Sequence, residues 1–170
     1  TWAVVGPIAT QMLAVMGAEV IKIESNVHTE INRRSGPYAN GKVDIDTTAN
    51  FHRSNMSKMS CTLDLRKPEA AEIAKDIVRM SDIVVSNFRN GVMERFGLGE
   101  DILRELKPDL ILVSSTSMGN TGPYKDFVGY NEEAYAYGGL GYLTGYRDEP
   151  PRLIAGDFAD YLTGTLEAFA

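Results

Sequence analysis

The sequence predicts an α/β fold, an open and mainly parallel Rossmann-like sheet flanked by helices. Three observations predict it. Short strand-like runs alternate with helix-like ones, Gly and Pro fall at the junctions, and at least one strand, LILVSS within residues 109–115, reads as buried. Pro7 after Gly6 suits a helix start, because proline lacks an N–H that the first turn would leave unsatisfied. Ile8, Met12 and Met16 then give that helix one apolar face before Gly17 stops it. Residues 18–24 read as a strand. Residues 25–51, rich in Asn, Gly, Ser, Thr and charge, read as a long loop of the kind that often holds a ligand.

The alternation then continues. Residues 60–65 form a short strand, Pro68 opens a helix carrying Ala71, Ile73, Ala74 and Ile77, and residues 82–86 form a strand leading to Asn87. Short helices over 91–96 and 101–106 precede the strand of 109–115 and a Gly-rich segment. Repeated β-α-β order places ligand loops at the carboxyl ends of parallel strands.

Composition sets bounds. A chain of 170 residues with 44% hydrophobic content holds material for one core, so residues 1–170 read as one domain. A net charge of -6 argues against a surface that neutralises nucleic-acid phosphates or lies on an anionic membrane. Cys61 is the single cysteine, which excludes a disulfide framework or a thiolate cluster for metal and fits a reducing, cytoplasmic setting. The longest apolar runs are too short to span a bilayer. Thr1 lies almost against the Gly-Pro helix start and Ala170 falls inside an apolar-periodic helix, so the chain reads as a piece of a longer one.

Several segments in order carry a resemblance. They are Gly6-Pro7, GAEVIKIE over residues 17–24, NMSKMSCTLDL over 55–65, DIVVSNFRNGVMERFG over 82–97, GNTGPY over 119–124, Gly129-Tyr130, and the span from Asp160 to Gly164. Taken together these resemble family III CoA-transferases, the CaiB/BaiF group that includes formyl-CoA and carnitine CoA-transferases and the related α-methylacyl-CoA racemases. The resemblance implies an N-terminal CoA-binding domain of a chain more than twice this length, with a small second domain and two subunits interlocked as a homodimer. It implies coenzyme A thioesters as substrates, a carboxylic acid as the other partner, and no metal.

The resemblance maps the family's nucleophilic aspartate to Asp160. In such chemistry a carboxylate attacks the donor thioester to form a mixed anhydride, and the released CoA thiolate then forms an enzyme–CoA thioester that the acceptor acid reverses. Water has to be kept from these intermediates. The local sequence reads equally as a helix start, with Asp157 as N-cap and Asp160 in the first turn. Helix N–H groups would lower the Asp160 pKa and keep it ionised. Gly164, one turn on, would leave the face beside Asp160 open to a thioester, while Leu162, Leu166 and Phe169 turn to the core. Asp157 is the rival nucleophile.

CoA carries a pyrophosphate and a 3′-phosphate, which call for a few placed cations. The resemblance implies contacts from Arg33 or Arg34 in the long loop, from Lys58, and from Arg95. Met59 stands where the family commonly has a second basic residue. Val4 and Ala3 match positions whose backbone meets CoA. Each cation has a plainer reading as a solvated surface charge, and Gly119, Gly122 and Pro123 read as a turn.

Tyr130 stands where the family's racemases place the histidine that shares proton transfer with an aspartate. It tilts the expectation toward a transferase, with its hydroxyl bonding the thioester or Asp160. A plainer reading makes it a helix residue in a Tyr-rich run with Tyr135 and Tyr137. The alternatives are a racemase, a CoA-binding piece without turnover, and an unrelated nucleotide-binding α/β protein. The last would be expected to carry a Gly-x-Gly-x-x-Gly or phosphate-loop lysine motif, and neither is present.

Overall fold

The computed structural model describes every residue except Ala155. In chain order the elements are α1 (Val5–Val15), β1 (Ile21–Glu24), α2 (Ala49–His52), β2 (Met59–Thr62), α3 (Pro68–Met80), β3 (Ile83–Ser86), α4 (Val92–Arg95), α5 (Glu100–Leu106), β4 (Ile111–Ser114), α6 (Asn131–Tyr137), α7 (Leu140–Leu143) and α8 (Phe158–Phe169). The alternation is the one the sequence predicts, with each strand trimmed to four residues.

Among the described residues the four strands pair in parallel, β1 beside β2 with Ile21 opposite Met59, and β3 beside β4 with Ile83 opposite Ile111. Trp2 donates its N–H to Asn87 Oδ1 at 2.8 Å, and Asn87 Nδ2 donates to the Trp2 carbonyl at 2.7 Å. On the other side Lys22 Nζ donates to the Thr1 carbonyl at 2.9 Å. The first two residues thus lie between β1 and the end of β3, bonded to a side chain of each.

α3 shows how the core forms. Pro68 sits in its first turn, and Ala70, Ala71, Ala74 and Val78 make a buried stripe at helical spacing. The small residues let α3 lie close to the strands, and Ala74 and Val78 join Leu98, Leu103 and Leu110 in one cluster packed by Ile23, Leu63, Val84 and Leu112. Ile73, expected inside, is exposed.

Residues 25–51 form an ordered strap that includes short 3-10 turns at Ile31–Arg33 and Ala39–Gly41. Fully buried Thr48 pins it, donating to the Asn32 carbonyl at 2.6 Å and accepting the Phe51 N–H at 3.1 Å to cap α2. Asn32 Nδ2 carries the strap to the Ala3 carbonyl at 3.0 Å, and the buried Lys22–Glu30 ion pair, 2.8 Å apart, fixes it to β1.

α8 packs along α1, and Gly164 makes the approach possible. A Cβ there would stand 2.5 Å from the Val5 carbonyl oxygen and 3.0 Å from Ile8 Cβ. Two backbones meet at that face, so the larger side chains turn the other way. Leu162, Leu166 and Phe169, expected in the core, are exposed, Phe169 to 74%.

Candidate active site

Two carboxylates and one guanidinium meet where α8 begins. Gly156 adopts the left-handed region at φ 75° just before Asp157, so the chain turns sharply into the helix. Asp157 occupies the N-cap position but makes no capping bond. The cap comes from another element: Asn131, buried at the start of α6, accepts the Ala159 N–H on its Oδ1 at 2.9 Å and donates through Nδ2 to the Gly156 carbonyl at 3.3 Å. One amide side chain thus fixes the turn on both sides of Asp157.

Relieved of capping, the Asp157 carboxylate forms an ion pair with Arg53. The two side chains are 32% and 41% exposed, so the pair faces solvent and can be approached. Arg53 follows α2, its guanidinium 5.7 Å from the centre of the Tyr161 ring. Its backbone is held by Gln11, whose Nε2 donates to the Arg53 carbonyl at 3.1 Å while its Oε1 accepts the Met56 N–H at 2.8 Å. α1, α2, α6 and α8 thus all contribute to this corner.

Asp160 lies one turn further in and is half-buried. Burial pushes its carboxyl up to about 6, with Asp157 and Glu132 adding like charge and Arg53 pulling the other way. This corrects the expectation that the helix start holds Asp160 low: desolvation and two neighbouring carboxylates outweigh the partial charge of the first turn. Two further expectations change. Gly164 serves the α1–α8 contact, where a Cβ would meet the Val5 carbonyl, and Asp157 holds the N-cap position without a side-chain capping bond.

Tyr130 precedes α6 and is 69% exposed. Its N–H donates to Glu133 Oε2 at 2.9 Å and its carbonyl accepts the Ala134 N–H at 3.0 Å. Its hydroxyl has no hydrogen bond to Asp160 among the described residues. The link from this segment to α8 is its neighbour Asn131, which spacing alone did not single out.

The candidate CoA cations divide sharply. Lys58 is committed to the fold, its Nζ donating to the Pro7 and Ser54 carbonyls at 2.8 Å and to Asn55 Oδ1 at 2.9 Å. Three bonds exhaust an ammonium, which leaves none for a phosphate. Burial and then the Lys22 charge push its pKa down to about 7, with Glu30 and Glu24 pulling the other way.

Arg33 is committed as well. It makes a two-pronged pair with Glu24 at 2.7 and 2.9 Å, a contact to Asp46 at 2.8 Å, and lies over the Phe51 ring at 3.5 Å. Its pKa is raised, chiefly by the Glu24 bond. Arg34 beside it is exposed and has no acceptor for its guanidinium among the described residues. Val4 is buried and gives its carbonyl to the Ile8 N–H at 2.8 Å.

Arg95 is exposed at the end of α4 and has no ion-pair partner among the described residues. It lines an open cavity of about 270 Å³ with Arg66, Lys75, Pro68 and Phe96. Arg66 pairs with Asp64 and Lys75 with Glu72. Phe96 continues an edge-to-face aromatic run through Phe88 to Trp2, with ring centres 6.4 and 6.1 Å apart. Among the described residues no group of three or more His, Cys, Asp or Glu is gathered as for a metal, and no helix is long and apolar enough to cross a membrane.

The family model for CoA-transferase family III matches residues 1–170. The chain belongs to that family. Relatives include the succinyl-CoA–L-malate CoA-transferase beta subunit of Chloroflexus aurantiacus, 36% identical over 163 residues, covering 95% of this chain and 39% of the relative. The succinate–glutarate CoA-transferase of Agrobacterium fabrum is 38% identical over 161 residues, covering 94% and 40%. Among solved structures, a CaiB/BaiF family protein of Brucella suis superposes with a TM-score of 0.91 at 35% identity, covering 99% of this chain and 44% of that one. An aspartate-to-alanine variant of a Mycobacterium tuberculosis protein gives 0.83 at 30% identity, covering 99% and 45%. The chain therefore spans about 40% of the length of these two relatives.

Proposed function

We propose that this chain is the nucleophile-bearing part of an enzyme that moves CoA from an acyl-CoA to a free carboxylic acid, and that Asp160, in the first turn of α8, is the nucleophile. The observation that carries the reading is the Asp160 carboxylate at the corner where α8 begins, beside the Asp157–Arg53 pair, in a family III chain. A nucleophilic carboxylate has to be ionised and within reach of a thioester. Burial and the neighbouring Asp157 and Glu132 raise the Asp160 carboxyl to about 6, which leaves it mostly ionised at neutral pH, and Arg53 pulls toward the charged form. Asp157 is the competing assignment.

Asp160 Oδ attacks the acyl carbon of the donor, the C–S bond breaks, and CoA leaves as the thiolate. The thiolate attacks the aspartyl carbonyl carbon of the mixed anhydride, the donor acid leaves as its carboxylate, and an enzyme–CoA thioester remains. An acceptor acid reverses the two steps. In this reading the nucleotide end of CoA rests in the cavity of Arg95, Arg66 and Lys75, with Arg34 as a further phosphate contact. Tyr130, exposed beside Asn131, bonds the thioester oxygen from the start of α6. Tyrosine at that position and the transferase names of the relatives favour transfer over racemisation. The outward stripe of Leu162, Leu166 and Phe169 is where the rest of the protein, or a second subunit, would pack.

The test uses the full-length protein with formyl-, acetyl- and succinyl-CoA, each with its labelled free acid. Label exchange and a borohydride-trapped adduct located on Asp160 by mass spectrometry are expected. An adduct on Asp157 would overturn the residue assignment. Absence of both exchange and adduct with every donor would overturn the transferase reading.

A further inference from the structure

We propose that Arg53 is a positioning residue of the reaction: by pairing with Asp157 it screens that carboxylate from Asp160, so that two acidic side chains share the start of α8 and Asp160 still carries the charge a nucleophile needs. The inference rests on the reading of Asp160 as nucleophile and names what keeps that carboxylate usable.

The corner has an excess of negative charge. Asp157 holds the N-cap position and Asp160 the third helical position, places whose side chains are close enough to meet in capping-box contacts. Two carboxylates that close disfavour each other's ionisation. α6 adds Glu132, while its Glu133 is turned to the Tyr130 N–H. α1, the other helix packed on α8, has no charged side chain, and Glu167 lies two turns further along α8. Arg53 is the one cation that draws Asp160 toward its charged form.

The local structure holds that cation where it is needed. Gln11 of α1 holds the Arg53 carbonyl and the Met56 N–H, and the Arg53 N–H donates to the Ala49 carbonyl at 2.9 Å. The guanidinium lies 5.7 Å from the ring centre of Tyr161, the residue after Asp160. Its only carboxylate partner among the described residues is Asp157, bonded through Nη2. Arg33 offers the contrast, since Glu24, Asp46 and the Phe51 ring occupy it fully. Because the Asp157–Arg53 pair is part-exposed, the effect is modest. A unit charge about 5–6 Å away in such a setting moves a carboxyl titration by roughly 0.5–1 pH unit.

The test follows enzyme–CoA thioester formation by intact mass. The full-length enzyme is used with whichever of formyl-, acetyl- and succinyl-CoA charges the wild type, below saturation, across a pH series. The acid limb of the rate reports ionisation of the nucleophile, and any titration of the substrate is common to every variant. Arg53→Gln is expected to move that limb up by roughly 0.5–1 pH unit while the rate at high pH stays near wild type, and Asp157→Asn to move it down by a similar amount. The double variant, neutral at both positions, should return it close to the wild-type value, and Arg53→Lys should leave it there. A rate lowered equally at every pH in Arg53→Gln, with the limb unmoved, would make Arg53 merely structural and overturn the inference. A double variant that keeps the upward shift would overturn it too. Should Arg53→Gln fold poorly, Asp157→Asn decides alone, since an unmoved or raised limb there also refutes the screening. Asp160→Asn keeps the two failures apart: thioester formation in that variant sinks the nucleophile, whereas its loss beside an unmoved limb in Arg53→Gln sinks the role of Arg53 alone.

Discussion

Replacing Asp160 by Asn should stabilise the protein at neutral pH, and the size of the effect can be worked from the site. A carboxyl pushed from an ordinary value near 4 to about 6 by burial and by Asp157 and Glu132 costs about 3 kcal/mol in its ionised form at neutral pH. The group is only half-buried, so solvent screening removes about half of that, and its place in the first turn of α8 returns about 0.5 kcal/mol more. About 1 kcal/mol remains. The sign follows from proton binding. Folded Asp160 holds its proton more tightly than the unfolded chain does, so stability is lost as pH rises from about 4 to about 6 and stays lost above that. Asn carries no charge and escapes the loss. Thermal melts across a pH series should place Asp160→Asn about 2 °C above wild type at pH 7.5, with the gap closing by pH 4. A variant that melts lower at pH 7.5, or a gap independent of pH, would refute the reasoning. The same variant should form no enzyme–CoA thioester, since it lacks the proposed nucleophile.

Gly164→Ala forces a methyl to within 2.5 Å of the Val5 carbonyl and should cost about 2 kcal/mol or more as α8 shifts from α1, read as a lower melting temperature; an unchanged one would show that the helices can part freely. Lys58→Met strands three oxygen acceptors and should destabilise by about 2–4 kcal/mol while the KM for acyl-CoA stays near wild type; a stable variant with a tenfold higher KM would return Lys58 to the CoA site. Arg95→Ala should raise the KM for acyl-CoA about tenfold with little change in melting, because the side chain is exposed and has no ion-pair partner among the described residues; equal KM values would remove it from the nucleotide cavity.

The elements were legible because they rest on local rules. Pro68 and the alanine stripe write α3 into the sequence, and Pro7 with Gly17 brackets α1. The pairing of strands was less so, since parallel order does not say which strands become neighbours. At the site, sequence placed the reactive carboxylates at a helix start but could not weigh them. That Asn131 caps α8 and that Asp157 pairs with Arg53 depends on residues that lie 26 or more positions earlier in the chain. The same holds for the cations: Lys58 and Arg33 look like Arg95 in a linear string, and only their partners in space show them to be committed to the fold.

The Asn87 side chain has a consequence for how the approach to α1 is held. Its amide both accepts from and donates to Trp2, so one side chain clips that segment to the end of β3. Deuterium uptake at the Trp2 amide should report the opening of this clip, and Asn87→Ala should release it while the strand pairs beside Cys61 and Ser114 keep their own protection.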